Sequence, residues 1–313
     1  MRVKPIFTML VGLPGSGKST WSEKYNGVCK IHSSDEIRLE LFGDNTKENT
    51  PEENQKVFNI LHERVKAYLK AGKDVIYDAT NLNKRRRIAF LRELKKISCI
   101  KQCALFATDY EICLQQDMKR ERHVGEDVIK RMYTSFQPPH KSEGWDNIFI
   151  VYNVDFDKYP ANKADVTTKG FDQGNSHHSL TLDKHMLAAG EYVKERTGDQ
   201  TLKLAAAFHD IGKLTTKSHG EDGECHYYSH HCTGSYDVIF YLAGGFLDLT
   251  KKTMDIQFLD DEILEISNLI YYHMHPYMSW KHSERVKNRD REIIGETMFN
   301  RIMLLHEADE ASH

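Results

Sequence analysis

Residues Gly12 to Ser19 read G-L-P-G-S-G-K-S, a spacing of glycines, lysine and hydroxyl that suits a chain of phosphates. Phosphates need many donors at close range. Glycines at 12, 15 and 17 remove the Cβ atoms that would keep backbone N–H groups from turning inward. Leu13, Pro14 and Ser16 complete the loop. Lys18 can reach the terminal phosphates, the Ser19 hydroxyl can ligate Mg²⁺, and Thr20 belongs to the helix whose positive end adds to the attraction. The ligand expected here is ATP or another nucleoside triphosphate, with Mg²⁺. A second set of chemistry-bearing residues lies far along the chain: His185, the adjacent His209 and Asp210, His230, His273 and Asp309. One histidine near an apolar face is normally a satisfied core residue. An adjacent His and Asp, with further His and Asp donors on other helices, offer a mixed nitrogen and oxygen set that suits Mn, Fe, Co, Ni or Zn.

The elements that must position these residues follow from the apolar pattern. Ile6–Val11 reads as a buried parallel strand that leads straight into the loop; it is too short to span a membrane and is not a signal peptide. Lys18–Tyr25 is the helix it feeds, and Val28–His32 a second strand. Ser33–Glu36 then starts a helix, with Glu36 three residues after Ser33 as in a capping box. Asp35 and Arg38 share one face of that helix at the carboxyl edge of the sheet. Asp35 is open to two readings: it offsets the helix dipole, or it accepts a proton from an attacking hydroxyl while Arg38 holds an anionic part of the acceptor. Glu53–Ala71 is a helix stopped by Gly72, and Val75–Tyr77 is a third strand opening into Asp78, which either sits near a metal or bonds the loop backbone. Asn83 caps a helix that begins with the basic run Lys84–Arg87. Ile100–Phe106 is a fourth strand. The helix after Asp109 ends in Lys119-Arg120-Glu121-Arg122 and is followed by a helix over Glu126–Phe136. Such a pair over the loop would be a lid whose arginine stabilises charge on a transferred phosphoryl group. Phe149–Val154 supplies a fifth strand.

At 313 residues the chain has room for two domains, and 40% hydrophobic with 28% charged residues describes a soluble globular protein. A net charge of −3 gives no global pull toward nucleic acid, so any such binding must use local patches. Six cysteines without a C-x-x-C pair predict free thiols in a reducing, cytoplasmic setting. Polar and turn-forming residues mark 156–176 as a linker between a domain at 1–155 and another at 177–313. Beyond the linker the pattern is wholly helical. His185 falls in a helix from about Ser179 to Arg196, and Leu202–Phe208 ends at His209-Asp210 with Gly212 as its stop. His273 and His275 follow the apolar run Ile263–Tyr272, and Asp309 lies in the last helix.

The loop Gly12–Thr20, the D-x-x-R pair Asp35 and Arg38, the segment Val75–Asn83 and the lid arginine together resemble the phage-type polynucleotide 5′-kinase family, over roughly residues 5 to 155. The resemblance implies an α/β P-loop kinase with a parallel sheet that phosphorylates a 5′-hydroxyl from ATP. Lys18 would serve the phosphates, Asp35 would be the general base and Arg38 would meet the acceptor phosphate. Arg120 would contact the ATP phosphates, with Arg122 as the alternative. The pattern H…HD…D, with His209-Asp210-Ile211-Gly212-Lys213, resembles the HD phosphohydrolase superfamily over about 177–313. It implies an all-α helical bundle in which His185, His209, Asp210 and Asp309 hold one metal. His230 and His273, with Asp210 bridging, match the added positions of dinuclear members, and Lys213 would contact the scissile phosphate. His178, His231 and His275 are lesser candidates. Jointly the resemblances imply a bifunctional enzyme that heals RNA (or DNA) ends, adding a 5′-phosphate and removing a 2′,3′-cyclic, 2′- or 3′-phosphate, with an RNA ligase acting downstream and no membrane. Two other classes stay open: a small-molecule or nucleoside kinase fused to a nucleotide phosphohydrolase, and an ATP-gated regulatory HD protein.

Overall fold

Ile6–Val11 (β1) carries one polar residue, Thr8, and is buried from Phe7 onward, as a strand covered on both faces must be. The computed structural model describes residues 4–43, 50–120, 123–152, 168–174, 179–221, 223–243 and 258–312; Arg122, His178 and most of the 156–176 segment lie outside them. The described chain forms two units, one from residues 4–132 and 139–152, the other from 133–138 and the described residues beyond 167.

In the first unit β1 is the middle strand of a five-stranded sheet. Its companions are β2 (Lys30–Ser33), β3 (Val75–Asp78), β4 (Ile100–Ala107) and β5 (Asn147–Tyr152), in the order β2-β3-β1-β4-β5, all parallel. The chain leaves β1 for β2 and β3 on one side and places β4 and β5 on the other. The carboxyl end of β1 is therefore a topological switch point, where open α/β sheets bind their ligands. β5 begins two residues earlier than the apolar pattern predicts, because its register pairs Asn147 with Gln102 and Tyr152 with Ala107.

The helices are α1 (Lys18–Glu23), α2 (Ser34–Phe42), α3 (Pro51–Lys70), α4 (Lys84–Glu93), α5 (Tyr110–Met118) and α6 (Glu126–Tyr133). Ser33 caps α2 by accepting from Asp35 N–H (3.1 Å); the reciprocal capping box expected there occurs instead at Thr50 and Glu53 of α3. α6 stops at Tyr133 rather than Phe136, where a turn closed by Phe136 N–H onto the Tyr133 carbonyl (3.2 Å) precedes Pro138-Pro139.

The second unit packs α7 (Leu182–Arg196), α8 (Gln200–Phe208), α9 (Lys213–Thr216), α10 (His230–Ala243), α11 (Asp260–Tyr272), α12 (Ser279–His282), α13 (Glu284–Ile294) and α14 (Glu296–Glu310). It is not wholly helical. β6 (Ser218–His219) and β7 (Cys225–His226) form an antiparallel hairpin between α9 and α10, too short to leave an alternating pattern. Gly212 does not stop a helix in a left-handed conformation. A Cβ there would lie 2.1 Å from the His230 carbonyl oxygen and 2.5 Å from Gly234 N, so its role is to let the start of α9 approach α10. Arg301 on α14 pairs with Asp199, which caps α8, and with Glu265 on α11, tying three helices together.

Candidate active sites

The phosphate loop joins β1 to α1 at the switch point. Gly15 (φ +76°) and Gly17 (φ +85°) have left-handed backbones, and a Cβ on Gly15 would sit 2.2 Å from the Cys113 carbonyl oxygen. Thr108 donates to the Ser16 carbonyl (3.1 Å), fastening the loop to the end of β4. The Lys18 ammonium donates to the Leu13 and Gly12 carbonyls at 2.6 and 3.1 Å. Burial lowers its pKa, the negative groups Asp78 and Asp35 oppose that shift, and Arg120 adds to it. Ser19 Oγ donates to Asp78 Oδ2 (2.9 Å), so Asp78 stands beside the hydroxyl expected to ligate Mg²⁺. Burial raises the Asp78 carboxyl, while Lys18 and the Ser19 hydroxyl pull it down.

Arg38 reaches Asp35 Oδ1 at 2.8 Å and Asn54 Oδ1 at 3.2 Å, so the D-x-x-R pair is a contact and not only a spacing. The Asp35 side chain is 48% exposed. Asp117 at the end of α5 accepts from Val124 and Gly125 N–H, and the Arg120 guanidinium lies 4.0 Å from its carboxylate. The charges of Asp35 and Arg120 both act on Lys18 and on Asp78, so these four groups share one electrostatic site. The hydroxyl–carboxylate pair Ser19 and Asp78 is the oxygen donor set that Mg²⁺ takes next to phosphates.

In the second unit two donor sets meet at Asp210. His185, His209, Asp210 and Asp309 form one, and Asp210, His230 and His273 the other, all buried. In the first, His185 Nε2 and His209 Nε2 are 3.2 Å apart, and Asp309 Oδ1 lies 3.1 and 3.2 Å from them. Asp210 Oδ2 completes this set at 3.3 and 3.4 Å. In the second, His230 Nε2 is 3.2 Å from His273 Nε2 and 3.1 Å from the other oxygen, Asp210 Oδ1. The four-donor set's separations of 3.1–3.4 Å match the edges, roughly 3.0–3.4 Å, of a polyhedron whose bonds are about 2.1 Å long, whereas the second set is looser, with His273 Nε2 3.7 Å from Asp210 Oδ1.

The hydrogen bonds outside the cage argue for the same occupant. His209, His230 and His273 each bond through Nδ1 to the carbonyl three residues earlier, at Ala206, Tyr227 and Ile270 (2.6–2.7 Å), and His185 Nδ1 bonds to the Ser312 carbonyl (3.1 Å). That pattern assigns the proton to Nδ1 and turns each Nε2 lone pair inward. Inward lone pairs 3.2 Å apart repel unless a proton or a cation lies between them. Burial opposes charge on His209, but Asp210 and Asp309 hold its pKa up at about 10, so without metal a proton fills this role. Burial lowers His273 to about 4 despite Asp210. The residues thus fit a divalent metal of the borderline kind.

Lys213 is buried, pairs with Asp210 Oδ2 (2.6 Å) and donates to Gln173 Oε1 (2.8 Å). Gln173 falls in the segment read as linker, yet it is 1% exposed and part of this site. The Tyr277 hydroxyl is buried beside Asp309, and burial followed by that carboxylate pushes its pKa up. Neither Gln173 nor Tyr277 carries a sequence signal. His231 and His275 join neither donor set among the described residues, and burial takes His231 down to about 2.

A family profile described as an AAA domain matches residues 7–139, the phosphate-loop unit. Among solved structures, a chain of a Pnkp1/Rnl/Hen1 complex is 26% identical over 40% of this chain and 42% of that one, with a TM-score of 0.34. A chain of a Pnkp1/Rnl/Hen1 RNA repair complex is 24% identical over 43% and 45%, with a TM-score of 0.38. A gluconokinase from Sinorhizobium meliloti 1021 is 15% identical over 49% and 86%, with a TM-score of 0.36. The chain spans less than half the length of the two repair-complex chains it matches. The first unit thus carries a P-loop domain of kinase-like type, which implies ATP and Mg²⁺. No helix among the described residues is long and apolar enough to cross a membrane.

Proposed function

We propose that this chain treats both ends of a broken polynucleotide, phosphorylating a 5′-hydroxyl from ATP and removing a 2′,3′-cyclic, 2′- or 3′-phosphate. The observation that carries the reading is that one chain holds two sites suited to phosphorus, built from residues that do not overlap: Lys18, Asp35, Asp78 and Arg120 in one, and the Asp210 cage in the other.

In the kinase reaction Mg-ATP supplies the phosphoryl group and neutralises part of its charge. The loop N–H groups and Lys18 hold its phosphates, and Ser19 and Asp78 would hold the ion. Asp35 takes the proton of the 5′-hydroxyl as that oxygen bonds to phosphorus and the bond to ADP breaks. Arg38, braced by Asn54, aims Asp35 and meets the acceptor's own phosphate. Arg120 offers positive charge to the oxygens of the moving group.

In the phosphoesterase reaction two divalent cations, when bound, supply a hydroxide and offset charge building on phosphorus. His185, His209, Asp309 and Asp210 Oδ2 would hold one, and His230, His273 and Asp210 Oδ1 the other. Lys213 presents its ammonium to a non-bridging oxygen. The likeness of residues 177–313 to HD phosphohydrolases adds to this reading.

The test is RNA bearing a 5′-hydroxyl and a 2′,3′-cyclic phosphate, incubated with ATP and Mg²⁺ or Mn²⁺, with both termini analysed. Lys18→Ala abolishes 5′ phosphorylation and spares phosphate release. Asp210→Asn does the reverse. Transfer to nucleosides or sugars but not to the oligonucleotide would refute the polynucleotide reading, and tight ATP binding without turnover would refute the kinase.

A further inference from the structure

Between Lys213 and the cage ligand His230 the chain turns out into the β6–β7 hairpin and returns through His226-Tyr227-Tyr228-Ser229. Tyr227 points inward: its hydroxyl donates to the Gln173 carbonyl (2.5 Å), and Lys213 Nζ lies 5.5 Å from its ring centroid. Tyr228 points outward, 73% exposed. Its ring stacks on His226, with centroids 5.5 Å apart and planes 15° from parallel. Ser229 follows with φ +64°, a left-handed backbone that a non-glycine residue keeps only where its surroundings demand it. The Ser229 carbonyl accepts from Cys232 and Thr233 N–H at 2.9 and 3.2 Å, so the turn that presents Tyr228 is locked to the first turn of α10.

A single exposed aromatic is ordinary on a protein surface. A ring laid parallel on a second ring, on a fixed turn two residues before a cage donor, is not. At most about 7 Å of chain separates the Tyr228 and His230 α-carbons, a span comparable with the reach from a nucleobase to its own 3′-phosphate. We propose that Tyr228 and His226 form a stacking surface for the nucleobase of the nucleotide whose phosphate enters the Asp210 cage. This rests on reading the cage as a phosphoester site and names its substrate class: a nucleotide unit, free or at a polynucleotide end, rather than a base-free ester. Every base has a π-face, so the surface tolerates any sequence.

The test is calorimetric binding to the full chain loaded with Mn²⁺, its phosphate loop filled by a non-hydrolysable ATP analogue. Uridine 3′-phosphate is compared with inorganic phosphate. The wild type binds the nucleotide more tightly by about 5- to 150-fold, the range of one base stacked on an aromatic side chain. Tyr228→Ala removes that preference and leaves phosphate binding unchanged, while Tyr228→Phe keeps it. In hydrolysis, Tyr228→Ala raises KM for uridine 2′,3′-cyclic phosphate or for an RNA ending in one, and the two substrates separate a free nucleotide from a strand end. A base-free dialkyl phosphodiester is unaffected. Equal binding of the two ligands by the wild type, or a Tyr228→Ala protein that keeps its preference, overturns the proposal. A wild type that binds but hydrolyses no ester refutes the phosphoesterase reading, and the binding comparison still decides the stacking surface.

Discussion

Among the described residues Asp210 is the one carboxylate shared by both donor sets, and that makes metal stoichiometry the sharpest measurement on this protein. Its Oδ2 lies 3.3 and 3.4 Å from His185 and His209, and its Oδ1 lies 3.1 Å from His230. Asp309 faces only the first pair. Asp210→Asn therefore weakens both sites and Asp309→Asn only one. Losing even an outer partner costs 10- to 100-fold in metal affinity, so a lost ligand should cost more than about 100-fold. The fold is also perturbed, because Lys213 is buried against Asp210 at 2.6 Å. Breaking a buried pair costs about 3–5 kcal/mol, which for a unit of this size lowers the melting temperature by roughly 6–20 °C. Adding Lys213→Met removes the orphaned charge and should restore most of the stability without restoring metal. Melting is read with chelator present, and metal content after equilibrium dialysis against Mn²⁺. The expected result is two ions in the wild type, one in Asp309→Asn and none in Asp210→Asn/Lys213→Met. Two ions retained by the double variant, or both lost from Asp309→Asn, would refute the bridging argument.

Three further outcomes follow from the geometry. Asp35→Asn should lower kcat for 5′ phosphorylation by about 10²- to 10⁴-fold with the KM for ATP nearly unchanged; an equal loss in ATP binding would return Asp35 to a purely structural role. Gly15→Ala should abolish ATP binding by calorimetry, since a Cβ there meets the Cys113 carbonyl at 2.2 Å on a backbone with φ +76°. Metal loading should release protons: His209 is held at about 10 without metal, so at neutral pH its proton must leave before Nε2 can bind. Apparent affinity should rise with pH up to about 10 and level above it, and metal binding with no proton release would remove His209 from the ligand set.

What was legible in the sequence was local, and the physical reason is visible in particular residues. The phosphate loop and the strand before it are a continuous stretch, and Asp35 meets Arg38 because three residues on a helix bring side chains together. Asp78 was half legible: its place after a strand put it at the right edge, but only the fold brings its oxygen to Ser19. Gln173 was hidden because a polar segment rich in turn formers reads as linker whether or not it packs. The hairpin was hidden because two-residue strands have no period. Gly212 was read for the wrong property, since its missing Cβ serves an approach of α9 to α10 that no local pattern encodes.

The cage divides along the same line. Three of its histidines are set by short-range geometry, each anchored through Nδ1 to a carbonyl three residues back, so a His at a helix end carries its own orienting partner. Such a residue arrives with its ring orientation and tautomer already chosen, and burial then leaves its inward nitrogen without water. His185 is the exception, fixed by Ser312 from the far end of the described chain. Its capacity to bind depends on α14 docking, the same helix that delivers Asp309 and is held by Arg301 to Asp199 and Glu265. The four-donor set should therefore be the one most coupled to the folding of α14, while the set of Asp210, His230 and His273 draws on the end of α8, on α10 and α11, and on the Gly212 contact.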